Sequence, residues 1–130
     1  MDDASDATPQ HDPPLVIVDG ANVVGSRPDG WWHDRKGAAE RLRDRLAGAG
    51  LPGRAGPAEM VLVVEGAARG VPSVPGVRVE SAPGSGDDRI VELVAEHPDR
   101  DRLVVTADRE LRRRVTELGA EVAGPRTVLG

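Results

Sequence analysis

The chain predicts an α/β fold, a single three-layer domain with a parallel sheet of four to five strands flanked by helices. Two runs, Leu15–Val18 and Met60–Val64, are wholly apolar, rich in β-branched residues and too short for helices, so they read as strands buried on both faces. Segments with helical spacing alternate with the strands, which requires right-handed crossovers and parallel pairing. A length of 130 residues suits one domain around one core.

Residues 1–14 are rich in Asp, Ser, Pro and Gln, show no apolar pattern and end in Pro13-Pro14, so they are expected to form a disordered tail. The first strand, Leu15–Val18, leads into a long loop from Asp19 to Trp31 and Trp32. From Asp34 the spacing becomes helical: Ala38, Ala39, Leu42, Leu46 and Ala49 share a face, and Gly50 and Pro52 stop the helix. Residues 53–58 read as a linker and Met60–Val64 as the second strand. Gly70, Pro72 and Pro75 mark a loop before a short third strand, Val77–Val79.

Ser85 and Asp88 have the spacing of a capping box, which opens a helix over Asp87–Glu96 with Ile90, Val91, Leu93 and Val94 inward. His97-Pro98 ends it. Leu103–Thr106 is the fourth strand, Asp108 starts a helix running to Leu118 with Gly119 as its stop, and Glu121–Ala123 is a fifth strand. The domain is therefore expected over 15–123, with 124–130 as a C-terminal tail.

A net charge of -5 argues against broad adhesion to nucleic acid or anionic membranes, but not against a nuclease, because bound cations invert the sign that a phosphate meets. Without cysteine there is no disulfide framework and no thiolate zinc site. The start of the chain is polar and acidic, unlike a signal peptide, and no apolar run is long enough to span a membrane; a soluble cytoplasmic protein is the default expectation. Lys36 is the sole lysine beside plentiful arginine, a bias that supplies arginines without functional demand.

Acids follow three of the strands: Asp19 after the first, Glu65 after the second and Asp108 after the fourth, while Asp87 and Asp88 begin the helix after the third. In a parallel sheet all strand carboxyl ends share one edge, the edge at which open α/β sheets place their ligands, so these five carboxylates are expected to converge. Such a group repels itself unless a hard divalent cation compensates it; Mg²⁺ or Mn²⁺ suits the oxygen donors, and zinc does not. Capping offers a competing account of Asp87, Asp88 and Asp108, since an acid at a helix start stabilises it by ~0.3–1 kcal/mol. Glu65 is equally well explained as a solvated loop acid. Asp19 is harder to explain that way, because no helix is expected close behind it.

Asp19-Gly20-Ala21-Asn22, with Gly84-Ser85-Gly86-Asp87-Asp88 and Val104-Val105-Thr106-Ala107-Asp108-Arg109-Glu110-Leu111, resembles in order and spacing the NYN domains of the PIN-like nuclease superfamily, most of all the YacP-type NYN proteins. The resemblance covers about residues 15–123. It implies a PIN-like fold and a Mg²⁺- or Mn²⁺-dependent ribonuclease in which Asp19, one or both of Asp87 and Asp88, and Asp108 hold metal; the expected convergence at the strand ends adds Glu65 to the metal candidates. Asn22 and Thr106 would assist by hydrogen bonds. Two departures stand: the YacP-type pattern leads one to expect aspartate where Glu65 lies, and the acid pair leaves the third ligand's register open by one residue, with Asp87 favoured by its spacing to Ile90.

In-line attack on a phosphodiester by a water that the metal activates would then need no general-base histidine. RNA is the implied partner; a homodimer is left open, and no membrane partner is expected. Arg89, Arg109 and Arg112 are candidates for the RNA backbone, against the plainer reading that they solvate helix faces. Trp31 and Trp32 are candidates for stacking on a splayed base, worth ~1–3 kcal/mol, against the reading that at least one packs the first helix onto the sheet.

Two other functions compete. One is a catalytically degenerate PIN-like module that binds RNA or protein without cutting; the other is a nucleotide or phosphate-ester hydrolase using the same acids. Asp19 lacks the second Asp two residues on that a haloacid-dehalogenase-type nucleophile needs, and no Gly-x-Gly-x-x-Gly follows the first strand, which removes a dinucleotide site.

Overall fold

The computed structural model describes residues 13–27, 30–49 and 57–129. Its strands are β1 (Leu15–Asp19), β2 (Glu59–Val64), β3 (Val77–Ser81), β4 (Arg102–Val105) and β5 (Glu121–Ala123). They form one sheet in the order β3-β2-β1-β4-β5 with every pair parallel, as the alternation of elements predicts. The helices are α1 (Gly20–Gly25), α2 (Arg35–Ala49), α3 (Gly86–Glu96), α4 (Arg109–Glu117) and α5 (Arg126–Leu129), with 3-10 turns at Trp31–His33 and Gly66–Ala68. The expected tail over 1–12 and most of the expected linker lie outside the described residues.

The strands separate the core into two layers by their period of two. Val16, Val18, Met60, Leu62, Val64, Leu103 and Val105 face Val23 of α1, Leu42 and Leu46 of α2, and Val128 of α5. Leu15, Ile17, Val61, Val63 and Val104 face Ile90, Leu93 and Val94 of α3 and Leu111 and Val115 of α4. Aliphatic residues therefore fill both layers, and neither tryptophan is buried. By the same alternation Asp19, one residue past Val18, falls on the α3/α4 side of the sheet.

Three segments differ from expectation. A helix, α1, begins directly after Asp19 where a loop was expected. The expected C-terminal tail contains α5, which places Val128 in the core. Pro13 and Pro14 are tied down: Arg100 donates to the Pro13 carbonyl, and Glu59 N to that of Pro14 at 2.9 Å. A proline lacks an N–H but keeps its carbonyl, so it can still serve at the edge of a strand. No helix among the described residues is long and apolar enough to cross a membrane.

Among the described residues only Asp19, Thr106 and Arg102 are buried polar or charged side chains. Arg102 is at the start of β4, away from the acids. Its guanidinium donates to the carbonyls of Val94 (2.7 Å), Leu118 (2.8 Å) and Arg100 (3.1 Å). The first two end α3 and α4, so one cation meets the negative ends of two helix dipoles. Gly119, at φ +93°, makes the left-handed turn that ends α4, and a Cβ there would come within 3.0 Å of Arg102 Nη2. Replacing Arg102 with Met strands these buried carbonyls and should lower stability by about 2–3 kcal/mol. Urea unfolding measures this, and an unchanged midpoint would show that the clamp contributes nothing.

Candidate functional site

The strand order reverses beside β1: the chain leaves β1 toward β2 over one face and leaves β4 toward β5 over the other. The crevice at that switch point is where open parallel sheets bind ligands, and Asp19 and Thr106 flank it. A hollow of ≈ 250 Å³ there is lined by Asp19, Ala21, Asn22, Glu65, Asp87 and Asp108. The structure thus brings together four of the five predicted acids. Convergence follows from the packing, because α3 and α4 both cover the face to which Asp19 belongs and their first turns carry Asp87 and Asp108.

Asp19 is 4% exposed. Its Oδ2 accepts from Thr106 Oγ1 at 2.9 Å and its Oδ1 from Asn22 N at 3.4 Å, so it also caps α1. The premise that no helix follows it is therefore corrected. Gly20 permits the arrangement, since a Cβ there would lie 2.6 Å from the Val63 carbonyl oxygen of β2. Only glycine lets the strand turn into a helix so close to its neighbour. Burial pushes the Asp19 carboxyl up to about 6; the hydrogen bonds from Thr106 and Asn22 oppose this, and the charges of Asp87 and Glu65 add to it.

Thr106 connects the parts. Fully buried, it donates to Asp19 through its hydroxyl, which also accepts from Asp108 N at 3.1 Å. Arg112 Nε donates to the Thr106 carbonyl at 2.8 Å, so this predicted RNA contact is a brace for the strand end. Asn22 assists differently from expectation: its backbone N–H serves Asp19, while its side-chain Oδ1 accepts from Ala107 N at 2.8 Å and joins α1 to the β4–α4 loop. Asp108 Oδ1 caps α4 at Leu111 N (2.8 Å), and Glu65 Oε1 accepts from Gly86 N, the first residue of α3, at 2.6 Å. Capping and membership of the acidic group are thus roles that the same carboxylates hold together.

Asp87 faces the group, and burial, then Asp108 and Glu65, raise its pKa. Asp88, in the same turn, does not line the hollow; its exposed carboxylate pairs with Arg114 at 3.1 Å. Ser85 Oγ accepts from Asp88 N, as the capping box requires. Arg89, predicted to meet RNA, is instead held by Glu80, Glu92 and Glu96 on the flank of α3. Arg109 is exposed at the start of α4. Trp32 is 52% exposed, whereas Trp31 is half-buried against α1 and lines a second pocket. Sequence reasoning missed Arg114, which takes Asp88 away from the other acids; its position one turn before the end of α4 carries no distinguishing signal.

Among the described residues, no three Asp, Glu or His side chains stand as a ready-made cage for a cation. The donor set is nevertheless all carboxylate oxygen, the kind that suits hard divalent cations, and burial first, then the neighbouring carboxylates, raise the pKa values of Asp19 and Asp87.

Fold and site define a parallel α/β protein with an acidic switch-point crevice. Among solved structures it is similar to Rae1 (YacP) from Bacillus subtilis: the TM-score is 0.67 and the identity 20%, over 88% of this chain and 71% of that one. The fold is accordingly YacP-like. No protein-family model matches the chain, and no curated protein does.

In EDTA the protein should lose stability as pH rises. The native state keeps the Asp19 proton up to about 6, whereas the unfolded chain releases it near 3.8, so the folded form binds more protons between these values and stability falls across them. The loss is of the order of 2–3 kcal/mol. Asp19→Asn carries no such charge and should melt above the unsubstituted protein at pH ~7.5 but level with it near pH ~4. A lower melting temperature of the variant at the higher pH would contradict the stated cause.

Proposed function

We propose that this chain is a PIN-like nuclease of the NYN type that hydrolyses RNA phosphodiesters with a divalent cation, Mg²⁺ or Mn²⁺. The observation that carries the reading is the acidic hollow itself. Asp19, Glu65, Asp87 and Asp108 come from four different connections of the sheet, and among the described residues no cationic side chain lines the space between them. The YacP-like fold supports it, as does the likeness of the three motif blocks to YacP-type NYN proteins.

In this reading Asp19, Asp87 and Asp108 hold the cation and Glu65 completes the oxygen donors. When bound, the cation lowers the pKa of water and offsets charge on the attacked phosphate. The chain's own residues do the positioning. Thr106 fixes Asp19 Oδ2 and, through Asp108 N, the start of α4. Asn22 holds the β4–α4 loop against α1, so Asp19 and Asp108 keep a set spacing. Asp88 and Arg89 have no part in the chemistry, because Arg114 and the three glutamates occupy them. Arg109 remains the candidate among the three predicted arginines for a phosphate contact.

One feature favours a second reading, a module that grips RNA or protein without cutting: both oxygens of Asp19 are already hydrogen-bonded. Calorimetry with Mn²⁺ separates the two, since a degenerate module should show no binding that Asp19→Asn removes.

The nuclease reading predicts that Mn²⁺ or Mg²⁺ raises the melting temperature and supports cleavage of a panel of single-stranded RNAs. Asp19→Asn should abolish that cleavage, a loss of about 100-fold or more, while the variant stays folded. Asp88→Asn should keep most of the activity, since its carboxylate faces Arg114. Cleavage that survives both EDTA and Asp19→Asn would overturn the assignment.

A further inference from the structure

A second pocket adjoins the acidic hollow on the opposite face of the sheet. It encloses ≈ 140 Å³ between α1, α2 and the Gly66–Ala68 turn, and its lining includes Val24, Val64, Ala68, Trp31, Arg35 and Glu65. Glu65 and Ala21 line both spaces, so the two share a wall. The volume is less than half of what a drug-sized ligand occupies and suits a single ring system.

We propose that this pocket receives an unpaired nucleobase of the RNA strand whose phosphate lies at the acidic hollow. The proposal takes the nature of the polymer from the nuclease reading above. Three observations select the occupant. The walls contributed by Val24, Val64 and Ala68 are apolar, while Trp31 adds a half-buried indole, the combination that holds a flat ring. The Arg35 guanidinium lies 5.3 Å from the centre of the Trp31 ring, so a cation belongs to the same wall. Glu65 adds a carboxylate, of which Gly86 N occupies one oxygen. A base carries both acceptors and N–H donors on its edge and can use Arg35 and Glu65 together; an aliphatic side chain could hydrogen-bond to neither. The wall shared through Glu65 and Ala21 makes the pocket the neighbour of the acidic hollow, and Trp32, exposed on the same turn, stays outside it.

Trp31 reports on its own pocket in a Trp32→Phe background. In saturating Mg²⁺, which offsets the acids, a short oligoadenylate with cleavage-resistant phosphorothioate linkages should quench Trp31 fluorescence saturably. It should bind more tightly than an abasic ribose-phosphate oligomer of equal length by roughly five- to 150-fold, the range that one stacked base supplies. Ala68→Leu narrows the pocket while replacing none of the acids and should erase that preference. Equal affinity for the two oligomers, or a preference that survives Ala68→Leu, would overturn the proposal. The two readings fail separately. A base preference with no Mn²⁺-dependent cleavage supports the pocket and contradicts the nuclease; Mn²⁺-dependent cleavage that is indifferent to Ala68→Leu and to an abasic substrate contradicts the pocket and spares the nuclease.

Discussion

The structure turns on one buried carboxylate. Asp19 ends the central strand of a parallel sheet, where each neighbour in sequence is apolar and water is largely excluded. An ion in such a place is costly unless hydrogen bonds or an opposite charge compensate it. The protein supplies a hydroxyl and a backbone N–H, from Thr106 and Asn22, and then surrounds the group with further negative charge from Glu65 and Asp87. Stability alone does not explain that choice, because a neutral residue of the same shape would accept the cap without the repulsion. The proposed cation site would account for that choice, since a protein can keep a destabilising group where its function needs one.

The surroundings of Asp19 follow from sheet parity. Residues 15, 17 and 19 of β1 point to the side covered by α3 and α4, so the first turns of those helices must flank the strand's last residue. Each start carries an acid that the helix itself favours. Dipole and cap therefore hold Asp87 and Asp108 at the rim whether or not a cation is present, and Glu65 is held there by the first N–H of α3. At the other end of the sheet the sign is reversed: Arg102 meets the carbonyl ends of α3 and α4. The same two helices orient a negative cluster at one edge of the sheet and neutralise a buried cation near the other.

Much of this was legible in the residues. Apolar runs of three to five located β1, β2 and β4, and acids standing within a few residues behind strands marked the edge where they gather, because the parallel topology converts a scattered pattern into one place. Helix phase was not legible at Asp87-Asp88: both occupy a first turn, and only the ion pair of Asp88 with Arg114 separates them. Helix α1 was missed because Gly20–Gly25 is less than two turns long and bounded by glycine, a composition that reads as loop; it forms because Asp19 caps it and Val23 is buried. The adjacent tryptophans could not be told apart either. On a 3-10 turn, neighbouring side chains diverge by about 120°, so Trp31 enters a pocket and Trp32 does not.

The claim that cation binding relieves the buried charge of Asp19 can be measured on that carboxyl group itself. In protein labelled with ¹³C at the aspartate carboxyl carbons, the Asp19 signal should titrate near 6 in EDTA and move well below the ordinary aspartate range in saturating Mg²⁺, with Asp87 shifting in the same direction. An Asp19 titration that Mg²⁺ leaves where it was would contradict the account, because the group would then be buried for some reason other than holding a cation.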